Sequence, residues 1–240
     1  MSSHQLISLA SGLSLVTALV VLVSRWSAGA RAPERPSVAL PTFEYRAHGG
    51  SGWIDQTLAI TNPNAVDVAP VLAFTPVDAD GRALRKVRVA TAYGSDRGEL
   101  VVHPDGGFDV LNFSGPDADR VADVRVTVTK LLVLPAAGPS GYIEAKPTRG
   151  GEAVSRFATF DAVVLENPHP EPVTRRVVHL VYDSPRPGAS QQVVHVTPIG
   201  DLAVVPPEGH LVVPVTPPVA ALIRDRGAGQ AVSLKTYPSR

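Results

Sequence analysis

An apolar run that stops in Asn-Pro and restarts as a β-rich segment occurs twice in this chain, about a hundred residues apart. The first copy is Leu58-Ala-Ile60-Thr-Asn62-Pro63-Asn64 and the second is Val163-Val-Leu165-Glu-Asn167-Pro168-His169. A period of that length is too long for a solenoid unit and matches a small domain, so it points to two copies of one domain in tandem. Proline cannot donate to a strand ladder and an asparagine side chain can satisfy a local turn, which is why the pair suits the end of a strand.

Further landmarks recur in the same order. Val71-Leu-Ala-Phe74 precedes the turn Asp78-Ala-Asp80-Gly81, as Val177-Val-His-Leu-Val-Tyr182 precedes Asp183-Ser-Pro-Arg-Pro-Gly188. Leu100-Val-Val-His-Pro104 corresponds to Leu202-Ala-Val-Val-Pro206, and each copy closes on an alternating strand, Val124-Arg-Val126-Thr-Val128 or Ala231-Val232-Ser-Leu234. Strands are expected over 42–47, 54–61, 69–76, 84–90, 98–103, 108–113 and 121–130, and again over 141–146, 158–165, 175–182, 191–197, 202–205, 210–215 and 230–237. Seven short strands per copy at near-regular spacing define an all-β chain of two Ig-like or fibronectin-like β-sandwiches, over 42–137 and 138–240. Pro217 to Gly227 interrupts the rhythm with proline at its start, an apolar stripe and a terminal glycine, the signals of a short helix. The segment 115–120 takes its place in the first copy.

Composition agrees with strands joined by turns: 23 Pro and 20 Gly among 240 residues leave little room for helix-favouring runs. Basic and acidic side chains balance at 22 each, which gives no broad cationic surface and no nucleic-acid partner. The absence of cysteine excludes disulfides, thiolate metal sites, a cysteine nucleophile and a lipidated N-terminal cysteine. Arginine far outnumbers lysine, the signature of a GC-rich bacterial genome.

The N-terminal residues 1–26 carry the membrane reading. Leu6 to Val23 is uncharged and apolar; its eighteen residues make about 27 Å of helix, enough for a hydrocarbon core of roughly 30 Å. Arg25-Trp26 then suits the headgroup level. Ala28-Gly29-Ala30 has the small-x-small form of a signal-peptidase site, so a cleaved signal peptide is the rival to a retained anchor. Residues 27–41, with Pro33, Pro36 and Pro41, form a semi-stiff spacer. An anchor, a spacer and tandem sandwiches form an exported arrangement and place the domains on the extracytoplasmic side. Arg25, Arg31 and Arg35 lie after the span and argue the other way.

The apolar strand, the Asn-Pro-Asn at 62–64 and the alternating run that leads to Asp78-Ala-Asp80-Gly81 resemble the late-embryogenesis-abundant type-2 and FxLyD-like modules. The resemblance covers Leu58 to Leu84 best. The second copy departs from it at His169, where the first has Asn64. It implies small sandwich modules, often in tandem behind a membrane anchor, and no catalytic residues.

No motif assigns a catalytic, cofactor-binding or metal residue. His48-Gly49-Gly50-Ser51-Gly52 resembles an esterase oxyanion loop, but the chain has no Gly-x-Ser-x-Gly nucleophile elbow. Asp78-Ala-Asp80-Gly81 opens like a calcium loop and lacks the closing glutamate, so it reads as a hairpin turn. His179, His195 and His210 fall on neighbouring strands without the spacing of a metal site. Trp53, Tyr93 and Tyr142 are the ring candidates for a sugar platform, in a chain only 5% aromatic. The function expected is that of a membrane-anchored, non-enzymatic envelope protein presenting tandem β-sandwich domains to a protein partner. A carbohydrate- or small-ligand-binding module is the alternative.

Overall fold

In the computed structural model, which describes residues 38–50, 54–134 and 143–240, the period-two alternation becomes strands. Thirteen are present: β1 (Thr42–Arg46), β2 (Thr57–Thr61), β3 (Asp67–Val77), β4 (Arg88–Thr91), β5 (Gly107–Ser114), β6 (Asp123–Leu134), β7 (Glu144–Arg149), β8 (Glu152–Ala153), β9 (Ala162–Glu166), β10 (Val173–Tyr182), β11 (Val193–Val205), β12 (His210–Pro214) and β13 (Ala231–Pro238). A 3₁₀ turn spans Ala118–Arg120, and helix α1 spans Pro217–Gly227. The described residues are therefore all-β but for short helical pieces. No helix among them is long and apolar enough to cross a membrane. The segment 6–23 and the spacer up to residue 37 lie outside the described residues.

All named pairings are antiparallel, and the halves pair alike. β2 lies between β1 and β5 in the order β1-β2-β5-β4, and β9 lies between β7 and β12 in the order β12-β9-β7-β8. Ile60 is opposite Phe43 and Gly107; Leu165 is opposite Ala145 and Leu211. Both Ile60 and Leu165 are buried. β3 pairs with β6 in the first half, as β10 pairs with β13 in the second, where β11 adds a further strand on the other side of β10.

The Asn-Pro corners repeat the same pattern of hydrogen bonds. Asn62 Nδ2 donates to the carbonyls of Val66 (2.8 Å) and Val102 (3.1 Å), while its Oδ1 accepts the Asn64 amide (3.0 Å). Asn167 Nδ2 donates to Glu171 (2.7 Å), Val205 (3.4 Å) and Pro206 (2.9 Å), and its Oδ1 accepts the His169 amide (3.0 Å). Each asparagine is buried and spends its amide on tying the strand end to a segment about forty residues downstream. The third residue of the motif contributes its backbone amide, so His169 replaces Asn64 without loss of that bond.

Three expected strands differ in kind. Residues 98–103 form no ladder and make only the single bridges Val68–Val102, Leu100–Ser239 and His103–Gly106. The expected pair 191–197 and 202–205 is one continuous strand, β11. Residues 198–201, the gap between those two expected strands, stay in the ladder: Gly200 (φ +65°) lies in a register shift against β10, and the strand carries on through a bulge.

The core has two parts. One gathers Leu58, Ile60, Val68, Leu100, Leu111 and Phe113 of the first half. The other gathers Ile143, Val163, Leu165, Val173, Val177, Ile199 and Val205 of the second. β10 is the wall between them. Its Val178, Leu180 and Tyr182 pack into the first core and its Val173 and Val177 into the second. A strand covered on both faces reads as a nearly unbroken apolar run, as Val177-Val-His-Leu-Val-Tyr182 does. Val38–Arg240 accordingly forms one compact unit.

The halves are also stitched by backbone. The Val101 amide donates to Pro238 (3.0 Å) and the Arg240 amide to Glu99 (3.2 Å), so the end of β13 lies along the 99–102 segment. Tyr93 stacks on Tyr237 at 4.6 Å and 20°. A polar group is sealed nearby: His103 Nδ1 meets Asp67 at 2.9 Å with both side chains buried. Burial pushes the Arg175 guanidinium down to about 10, against the opposing pull of the Asp67 charge.

Candidate functional site

A hollow lies between helix α1 and the His179 side of β10. Thr216 precedes two prolines that fix the first turn, and the helix then sets Ala220, Ile223, Arg224 and Gly227 on one face, three or four residues apart. This face looks at His179 and Val232, but with small residues at 220 and 227 it does not fill the gap. The helix buries no residue completely. A cavity of about 410 Å³ remains, closed on its third side by the 156–160 segment.

Its walls combine apolar side chains, Phe160, Ile223, Val232 and several alanines, with polar ones, among them Thr159 and Gln230. His179 is the buried polar group in them, 2% exposed, with no hydrogen-bond partner at Nδ1. Its ring lies 6.4 Å from that of Phe160. Burial lowers its pKa, because the protonated ring would lose hydration with no carboxylate in the lining to compensate. Two guanidiniums stand at the rim. Arg156 lies over the Phe157 ring at 5.1 Å, and Arg224 reaches Asp225 at 3.3 Å. Phe157 itself is 66% exposed beside the opening.

A buried neutral imidazole makes stability depend on pH. The unfolded chain protonates His179 near 6.5 and the folded chain only below that, so between the two values the unfolded state binds more protons. Stability should fall as pH drops through that window. Urea midpoints are expected to be lower at pH 5.5 than at pH 7.5, and His179→Leu should shrink that difference.

A second constellation joins residues far apart in sequence. His48 Nδ1 lies 3.3 Å from Asp55 Oδ2, and Ser190 Oγ lies 3.2 Å from His48 Nε2 and 3.3 Å from Nδ1. The residue types are those of an acyl-transfer triad, but the geometry is not. A hydroxyl equidistant from both ring nitrogens is off the Nε2 lone-pair direction, so the imidazole is not aligned to take its proton. His48 is exposed. Asp55 serves the fold instead. It accepts the amides of Gly49 and Gln191, both at 2.9 Å, and so clasps the segment after β1 to the 183–192 loop. Desolvation pushes its carboxyl up, but these amides and His48 together outweigh it and hold the pKa below the usual range.

The other residues singled out in the sequence are dispersed. His195 is exposed on β11, opposite Val181 and next to the strand of His179, while His210 sits on β12 in another sheet. No three metal-ligating side chains converge among the described residues. Asp78-Ala-Asp80-Gly81 is a hairpin turn in which Asp78 Oδ1 accepts the amides of Asp80 (3.1 Å) and Arg82 (2.9 Å). Tyr93 is buried against Tyr237 and offers no sugar platform, which corrects the exposed position expected for it. Trp53 and Tyr142 lie outside the described residues. The pocket escapes a reading of the sequence because its lining comes from three separated segments; the one local signal is small residues on the inner face of an expected helix. Comparison with protein families, curated proteins and solved structures returns no match for this chain.

Proposed function

We propose that this chain is a membrane-anchored, non-enzymatic bacterial envelope protein that presents tandem Ig-like sandwiches to a protein partner, as an accessory or scaffold subunit. In this reading 6–23 is the anchor and the β unit lies on the extracytoplasmic side. The likeness of 58–84 to late-embryogenesis-abundant type-2 and FxLyD-like modules supports the sandwich assignment, and the repeated strand pairing supports the tandem arrangement.

The observation that carries the proposal is the outer edge of β11. This thirteen-residue strand pairs only with β10 among the named strands, and it exposes Val194, Leu202 and Val204, the last at 59%. β12, also at a sheet edge, exposes Val212. A long edge with apolar side chains offers unpaired backbone donors and acceptors to a partner strand. The misaligned Ser190–His48 contact supports the non-enzymatic part.

A photo-crosslinking residue at 204 in the full chain, expressed in cells, should give a discrete higher-mass adduct in the membrane fraction, and one at the exposed Glu152 of β8 should not. Protease added to spheroplasts should digest 40–240. An adduct common to both positions, or full protection until lysis, would count against the edge or the orientation respectively. The cavity beneath α1 favours small-ligand binding as a second reading.

A further inference from the structure

We propose that the cavity between α1 and β10 binds a small aromatic monocarboxylate, with its ring against the apolar part of the wall and its carboxylate at Arg156 and Arg224. The inference is independent of the edge-strand reading.

Three observations converge on this ligand class. The first is space: about 410 Å³ lies within the range of small-molecule sites, and it exists because Ala220 and Gly227 occupy the positions where a packed helix would bury large side chains. A Cβ placed on Gly227 would already stand 3.4 Å from Val232 and 3.5 Å from the His179 ring, so the bare backbone keeps this corner open. The second is the wall: the rings of His179 and Phe160, 6.4 Å apart, both line the cavity and suit contact with a ligand ring. The third is charge. The rim carries two guanidiniums, of which Arg224 also meets the exposed Asp225 at 3.3 Å, and the lining holds no carboxylate, so the net charge at the opening is positive and favours an anion over an ammonium. Walls of Phe160, Ile223 and Val232 complement a flat apolar body. A single carboxylate suits a site whose one buried polar side chain is held neutral; a second charge pressed against the walls would go unpaired.

The test is an NMR titration of the imidazole ¹⁵N signals of the full chain in detergent, with 4-hydroxybenzoate, 4-hydroxyphenylacetate, phenol and benzylamine as probes. The His179 resonances should shift saturably with the two acids, more weakly with phenol and not with benzylamine. Arg224→Ala and Arg156→Ala should each weaken the acids about tenfold, the loss of one charge-assisted contact, and leave phenol unchanged. Ala220→Phe should fill the cavity and abolish binding; because so large a ring can also disturb the helix, Ala220→Leu is run beside it, with the remaining imidazole signals as a check on folding. If His179 is unmoved by either acid up to its solubility limit, if benzylamine binds as well as the acids, or if the filled variants bind like the parent, the proposal fails.

Discussion

Asp109→Ala is expected to cost about 3–5 kcal/mol, because it removes the acceptor of three buried backbone amides, each orphaned at roughly 1–3 kcal/mol. Asp109 is wholly inaccessible to solvent. Its Oδ1 accepts the amides of Tyr93 (2.8 Å) and Val110 (2.7 Å), and its Oδ2 accepts that of Ser95 (3.0 Å). Burial pushes the carboxyl up while those amides pull it down, and burial wins. Truncation would leave buried N–H groups without acceptors, and an orphaned buried donor costs far more than an average hydrogen bond contributes. The damage should spread, because the loop that Asp109 holds carries Tyr93, which stacks on Tyr237 of the other half. Urea unfolding gives the free energy, and near-UV circular dichroism reports the loss of the tyrosine stack. Asp109→Asn, which keeps one oxygen but turns an NH₂ toward amide donors, should fall between parent and alanine. A cost below about 1 kcal/mol for alanine would mean that water satisfies those amides.

What the sequence revealed depended on how local the determining physics is. The Asn-Pro corners were legible because a strand end, a turn and the asparagine's own bonds all lie within a few residues of Asn62 or Asn167. Helix α1 was legible from its paired prolines and terminal glycine, and its bounds match the expected ones. The segment 98–103 was misjudged because its residues favour strands, while whether they pair depends on β3 and the end of β13, which sequence period cannot report. Gly200 falls in the gap between two expected strands, and only the presence of β10 alongside makes it a bulge. The candidate site was visible only in one member: His179 stood out, but the small inner face of α1 and the 156–160 segment acquire meaning only when folded over it. The Ser190–His48 contact spans 142 residues and has no local trace.

The double-faced burial of β10 leads to the second large effect. Leu180 belongs to the second half, yet it is completely buried in the core of the first. Leu180→Ala should therefore cost about 2–5 kcal/mol through lost burial and the cavity left behind, and the loss should appear in the first half as well as the second. Native-state hydrogen exchange can separate the two. In Leu180→Ala, the β2 and β5 amides should lose protection along with those of β9. Ile60→Ala and Leu165→Ala make the comparison, since each lies in the core of its own half. Cutting the chain between 137 and 138 applies the same logic more severely. The separated second half would expose Val178, Leu180, Tyr182 and Tyr237, while the first would lose the wall that closes its core. The two fragments should thus be far less stable apart than together, and mixing them should restore cooperative unfolding. If each fragment instead unfolds cooperatively alone at the denaturant concentration of the intact chain, β10 is only a contact surface between two self-sufficient domains, and Leu180→Ala should then leave the protection of β2 and β5 unchanged.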